Sequence, residues 1–416
     1  MNMHRVVVTG IGAVTAVGLG RVGLWDGVQR GMSAVRRLTR FDPSVYRAQM
    51  AAEIDIDVHD YLDRKQSKRL DRFSQLALIA SQMAITDAHL DIAGESSETI
   101  GISMGSALGG ISMAEAQHQI YMHAGLRAVN ASLALAVFGA SSSCSMAIAL
   151  GVQGPNTANS NSCSAGTMAL GEAFRLIRLG QAEVMLAGGA ETPLTPLCFG
   201  AFDLIRAMST ANHAPATAYR PFDRARDGFI MGEGAAVLVL EDMQHALRRD
   251  APILAEIVGY GSTNDAYHMT APHPSGEPAA RAMRLALREA GISPQAIGYI
   301  NAHGSGTPLN DKTETLAIKQ VFGEQAHAIP ISSTKPLHAH PFGATGAIEV
   351  AICCLALHQA YLPPTINLTI ADPECDLNYL PHCGRHEAVE YVLKNAFGFG
   401  GINAALVLKR ADGAHM

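Results

Sequence analysis

Charge is scarce in this chain. Asp, Glu, Lys and Arg make up 16% of its 416 residues, against 48% that are hydrophobic. So thin a charged cover predicts that another subunit shields part of the surface. The 31 Lys and Arg fall short of the 37 Asp and Glu, for a net charge of −6, which excludes a general nucleic-acid binder. Long hydrophobic runs are lacking too. Stretches such as Val350 to Leu357 fall well short of the roughly 20 residues a bilayer needs, so no membrane insertion is expected. The opening MNMHRVVVTGIGAV has no long apolar core and no small-residue cleavage site; a cytoplasmic protein without a leader is expected. The seven cysteines form no regular framework, which predicts free thiols instead of a disulfide scaffold. Cys353 and Cys354, adjacent in an apolar run, are expected as buried small hydrophobes.

What is present is alternation. Strand-like runs fall at 5–10, 184–190, 235–241, 253–261, 297–304 and 404–410, with helical patterns at 72–90, 165–180, 278–290, 311–322 and 344–359. Strands alternating with helices predict an α/β fold with its sheets covered on both faces. MGEGAAVLVLED (231–242) and GFGGINAALVLKR (398–410) echo one another, each a glycine cluster leading into a strand. That suggests a duplicated α/β unit joined near residue 255.

Two near-copies surround the chemistry. NSNSCSAGT (159–167) and SSSCS (141–145) both set a cysteine among small polar residues ahead of an apolar helix. A thiol in the first turn of a helix faces unpaired N–H groups and the positive dipole end, which favour the thiolate. The local sequence does not choose between Cys163 and Cys144, and a buried structural cysteine is the commoner case. Histidines supply the rest: INAHGSGTPLND holds His303, and SSTKPLHAHPFGATG holds Lys335, His338 and His340. A cysteine with two histidines suits nucleophilic chemistry on a thioester. A metal reading would use His303, His338 and His340, or Cys375, His382, Cys383 and His386, but neither set has paired-finger spacing or an HExxH helix. VTGIGAVTAVG lacks the third glycine of a dinucleotide loop, since Thr15 stands there.

Over essentially its whole length the chain resembles the β-ketoacyl-acyl carrier protein synthases of type II, condensing enzymes of the thiolase superfamily. The resemblance rests on the Cys163 elbow after Gly154-Pro155-Asn156, AGGAETPLTPL, RPFDRARDGFIMGEGA, NDAYHMTAPHPSG, NAHGSGTP, the loop of Lys335 and His340, and NAFGFGGINAALV. It implies a thiolase fold, two similar α/β halves (1–255 with the nucleophile, 256–416 with the catalytic histidines) in a five-layered αβαβα structure. It implies decarboxylative condensation of an acyl-enzyme with malonyl-acyl carrier protein, needing no cofactor and no metal. Cys163, not Cys144, matches the nucleophile. His303 and His340 match the catalytic pair, and Lys335 the family lysine, with Glu314 as its partner. Phe399 matches the gate, and the N–H groups of Cys163 and Phe399 the oxyanion site.

By the same resemblance Thr270, Ser305 and Thr307 line the pantetheine tunnel, and Leu108, Phe202, Leu133 and Ala134 the acyl pocket. Lys65, Lys68, Arg69, Arg72 and Arg206 match the face that docks the acidic carrier protein. A homodimer is expected, or a heterodimer with a chain-length factor. Both histidines and the cysteine argue against a non-catalytic chain-length factor and against a coenzyme A thiolase. Four departures stand out: Asn161-Ser162 before the nucleophile, ASLALAVF (131–138) in place of a bulkier stretch, Ala339 for a glycine, and Lys394. The last stands where the family often has a small polar residue near a monovalent-ion site with Asn301, Glu314 and Glu349. Its ammonium either replaces that ion or points to solvent.

Overall fold

Strand β1 (Val6–Thr15) is buried along its whole length, and its valines, isoleucine and small residues leave no polar side for water. In the computed structural model, which describes residues 3–411, this strand runs through the middle of the molecule. After it come α1 (Arg72–Asp87), β2 (Ile100–Gly105), β3 (Asn156–Asn159), α2 (Ala165–Arg178), β4 (Val184–Glu191) and β5 (Gly234–Asp242). The chain then repeats itself with β6 (Ala255–Asn264), α3 (Glu277–Ala290), β7 (Ile297–Asn301) and α4 (Pro308–Phe322). β8 (Ile331–Ser332), α5 (Phe342–Gln359), β9 (Tyr391–Gly398) and β10 (Ile402–Arg410) complete the repeat.

The strand order is β8-β7-β9-β10-β6-β1-β5-β4-β2-β3. Read outwards from the β6–β1 junction, both halves run antiparallel, antiparallel, parallel, parallel. The echo between 231–242 and 398–410 therefore marks β5 and β10, which hold equivalent places. The halves touch through a short antiparallel pairing of Val6–Val8 with Ala255–Ile257. The 255/256 division lies one residue inside β6.

Glycines let the outer helices sit close. A Cβ on Gly10 or Gly12 would collide with the carbonyls of Ala84 and Ala80 on α1, and one on Gly259 or Gly261 with those of Ala286 and Ala282 on α3. The VTGIGAV glycines thus serve helix–sheet packing, repeated in both halves. Helices α2 and α5 pack on each other between the half-sheets. α1 covers the outer face of one half, and α3 and α4 that of the other. The result is five layers, αβαβα. Among the described residues, α5 alone is long and apolar enough to cross a membrane. It contains the Val350–Leu357 run and is buried from Phe342 to Leu357, as the core helix of this sandwich.

Candidate active site

The two central helices begin side by side, and the chemistry collects at their N-terminal ends. Cys163 lies in a single 3₁₀ turn, Ser162–Ser164, that runs into α2. The turn is sharp: Ser162 has φ 53°, a left-handed conformation costly for a non-glycine residue. Its geometry is held from the other half, where the Ser164 hydroxyl lies 3.0 Å from the Ala396 carbonyl and 2.8 Å from that of Ile402. Gly398 packs directly on the Cys163 backbone, where a Cβ would sit 3.1 Å from the Cys163 nitrogen. The expectation of a depressed thiol pKa is overturned. Burial pushes the Cys163 thiol up, outweighing the Ser162 hydroxyl, the Lys335 ammonium and the Phe399 N–H.

A base is nevertheless in contact. His340 Nε2 is 3.1 Å from Cys163 Sγ, and His340 Nδ1 is 2.8 Å from the Thr345 hydroxyl on α5. If Thr345 accepts from Nδ1–H, the Nε2 lone pair faces the sulfur and can take its proton; if Thr345 donates to Nδ1, Nε2 carries the ring proton, the form that donates to an oxygen. The His303 ring lies 5.6 Å from that of His340, edge to face. Burial, followed by the Lys335 charge, holds both imidazoles well below the usual histidine range, so both are neutral hydrogen-bonding groups at neutral pH. His338 bonds Thr334 instead, 3.2 Å away, and does not join the pair.

Beneath the histidines lies a sealed charge cluster, and here a second expectation is corrected. Lys335 does not pair with Glu314. Its Nζ is 2.8 Å from Glu349 Oε1 and also donates to the His303 carbonyl. Glu314 instead accepts the N–H groups of His303 and Gly304, each at 2.8 Å. The two groups still act on one segment: Glu314 grips the amide of His303 and Lys335 its carbonyl. Glu349 and Thr345 are the partners the motif reading did not assign, because both lie on a helix read as apolar core.

Cys163, His303, His340 and Phe399 line a cavity of about 350 Å³. Thr270, Ser305 and Thr307 line it too, and Arg206 stands at its wall, exposed. The Ser305 and Thr307 hydroxyls bond each other at 2.8 Å, and Thr307 also caps α4 through the Asn310 N–H. Leu108 and Phe202 pack in the apolar cluster around Cys163. Glu191 ties their side of the pocket together, accepting from the Ala107, Leu108 and Gly343 amides, and burial pushes its carboxyl up to about 7.

Leu133 and Ala134 belong to a stretch expected to close the neighbouring subunit's acyl pocket, and one placement, that of Arg72, differs from expectation. Leu133 is half-buried and Ala134 exposed; neither reaches the cavity of its own subunit. Arg72 turns inwards: its guanidinium bonds Glu233 at 3.0 Å and the Ile54 carbonyl at 2.9 Å. Lys65, Lys68 and Arg69 are exposed, on the outward side of the same charged run.

Two residues shape the approach to His340. Phe342 stacks on Phe202, centroids 4.7 Å apart, and stands 5.2 Å from the His340 ring, giving the pocket an aromatic wall. Ala339 adopts φ 59°, ψ −159°, a region that is essentially glycine-only and costs about 1–3 kcal/mol. Backbone pairing of Met231 with His340 holds it there. Ala339→Gly is therefore expected to stabilise the protein by about 1 kcal/mol after the entropy of the added glycine is subtracted. Thermal melting checks this, and a lower Tm would contradict it.

Residues 3–246 match the family model "Beta-ketoacyl synthase, N-terminal domain" and residues 254–369 "Beta-ketoacyl synthase, C-terminal domain". The chain is 44% identical to a 3-oxoacyl-[acyl-carrier-protein] synthase 2 of Synechocystis sp., over 99% of each chain. Its fold matches a chain of the ishigamide ketosynthase/chain length factor structure with a TM-score of 0.92 and 33% identity, covering 99% of this chain and 100% of that one. It matches a chain of a type II PKS acyl-carrier protein in complex with its ketosynthase bound to the hexaketide with a TM-score of 0.90 and 34% identity, covering 98% and 100%.

Proposed function

The chain belongs to the β-ketoacyl synthase family, and from that membership we propose how Cys163, His303 and His340 divide its reaction. The enzyme is an acyltransferase that elongates an acyl chain by condensation on acyl carrier protein. The observation that carries the residue assignment is the contact of His340 Nε2 with Cys163 Sγ at 3.1 Å, inside the cavity that also holds His303.

Cys163 gives up its proton towards His340 and attacks the acyl thioester. The carbonyl carbon gains the Cys163 sulfur and loses the carrier thiol, which leaves protonated. The Cys163 and Phe399 amides receive the oxyanion between those events; one such donor is worth about 2.7–4 kcal/mol. Malonyl-acyl carrier protein then binds. Its carboxylate leaves as carbon dioxide, and the electron pair passes into an enolate whose oxygen accepts hydrogen bonds from His303 and His340. The enolate carbon attacks the acyl-Cys163 carbonyl, the carbon–sulfur bond breaks, and Cys163 is restored. The product is a β-ketoacyl thioester two carbons longer, and no step asks for a cofactor.

Residues 1–255 and 256–416 act as the two halves of this machine, one bringing the thiol and the other the histidines. A second subunit is part of the reading. Edge strand β3 packs on the helix Ser141–Leu150, which exposes Ile148, and Phe138, Ile120 and Met122 are further exposed apolar side chains of this half. A homodimer covers this surface, and a heterodimer with a chain-length factor is the variant that the ketosynthase/chain length factor relative supports. Leu133 and Ala134 then serve the neighbour's acyl pocket. Seven unpaired cysteines among the described residues suit the reducing cytoplasm.

Native mass spectrometry tests the reading. After incubation with acyl-carrier proteins of several chain lengths, twice the chain mass is expected, with one acyl adduct per subunit. A β-ketoacyl product should follow addition of malonyl-acyl carrier protein. No adduct from any acyl-carrier protein would overturn it.

A further inference from the structure

Four charged side chains are sealed beneath the histidines: Lys335, Lys394, Glu314 and Glu349, none more than 1% exposed. Lys394 comes from β9, on the face turned to α5, and is the surprise of that strand. Its Nζ stands 2.8 Å from Glu349 Oε2 and donates to the Asn395 carbonyl. Glu349 is thus gripped from both sides, with Lys335 on its other oxygen at 2.8 Å. The Lys335–Glu349 pair would be neutral alone, and Lys394 would be a surplus charge. Glu314 removes the surplus: two carboxylates face two ammonium groups, and the cluster sums to zero. The other groups nearby do not upset this sum. His338 is held neutral by burial, its pKa lowered to about 4, and Asp311 faces Arg226, which it shares with Asp372 on the far side of that guanidinium.

The point between Glu349 and the Asn395 carbonyl is therefore filled by the chain itself. A monovalent ion does not fit there, although the nearby amide oxygens of Asn301 and Asn395 are buried without hydrogen-bond partners and are the donors such an ion would take. We propose that Lys394 is a tethered cation, a positioning residue that balances Glu314 and Glu349 so that decarboxylation needs no bound monovalent ion. Its charge keeps the floor of the site from turning negative at the moment an enolate forms against His303 and His340.

The inference rests on the decarboxylating reaction proposed above, so release of carbon dioxide from malonyl-acyl carrier protein by the wild type is measured first. Its absence would count against that reaction, not against the role of Lys394. In tetramethylammonium chloride, Lys394→Ala is expected to lose roughly tenfold or more in decarboxylation rate. Potassium or sodium chloride should restore the rate by entering the vacated space among the oxygens. Lys394→Met, which fills that space without charge, should lose as much and regain nothing. The wild type should run equally in all three salts. A loss in Lys394→Ala that no salt restores would reduce Lys394 to packing and overturn the proposal, as would an undiminished rate. Should neither variant fold, the wild type still decides: a rate that depends on potassium or sodium overturns it, and indifference supports it.

Discussion

Cys163→Ala is expected to abolish acyl loading, by at least about 10⁴-fold, while Cys144→Ala loads as the wild type does. The two sequences look alike, but their surroundings differ. Cys163 lines the central cavity, touches His340 and faces the Phe399 amide. Cys144 is exposed on the helix Ser141–Leu150, and among the described residues no histidine hydrogen-bonds it. Because burial raises the Cys163 thiol, its thiolate is a minor species at neutral pH. Reaction of the free enzyme with iodoacetamide should therefore be slow near pH 7 and climb as the pH rises towards the thiol pKa. Intact-mass measurement of acyl adducts on the two variants is the check. An adduct that survives in Cys163→Ala and vanishes in Cys144→Ala would reverse the assignment.

The sequence announced most of this fold through its apolar runs. The central helices α2 and α5 and strands β1, β4, β5, β6, β7 and β10 all lie where hydrophobic stretches predicted them. Four strands escaped, and the first is β2, a short run whose apolar residues alternate with glycine and serine. β9 carries Lys394 and Asn395 at buried positions, so its pattern does not read as an apolar strand. β3, with the sequence Asn-Thr-Ala-Asn, is a polar edge, and β8 is two residues long.

The site was legible by kind and less so by pairing. Motifs located Cys163, His303, His340 and Lys335, but the partner of Lys335 depends on which carboxylate reaches it in space. Glu314 and Glu349 are both acidic residues on helices, and only the packing of α5 against the Lys335 loop brings Glu349 to it. Likewise the run from Lys65 to Arg72 reads as one basic stretch, yet helix geometry turns Arg72 inwards to Glu233. The thiol pKa failed for a related reason. A helix start is visible in sequence, but the burial that outweighs it is not.

The histidines should separate the two half-reactions. His303→Ala and His340→Ala are each expected to cut malonyl decarboxylation by about 10²–10³-fold, the usual effect of removing one donor from a developing oxyanion. Acylation should distinguish them. His303 is not recorded in contact with the sulfur, so His303→Ala should load Cys163 at close to the wild-type rate. His340 touches it at 3.1 Å, so His340→Ala should load about 10²-fold more slowly, the lower end of acid–base assistance. The pH dependence follows from burial and the Lys335 charge, which hold both imidazoles well below the ordinary histidine range. A base whose pKa is lowered stays neutral until the pH falls below that lowered value. Wild-type decarboxylation should therefore pass through about pH 6.5, where an unperturbed histidine titrates, without an inflection. Carbon dioxide release and acyl loading, measured separately for both variants from about pH 5.5 to 8, test the division. An inflection near 6.5 in the wild type, or equal loss of both half-reactions in His303→Ala, would show that these histidines act mainly as bases towards Cys163 instead of as donors to the enolate.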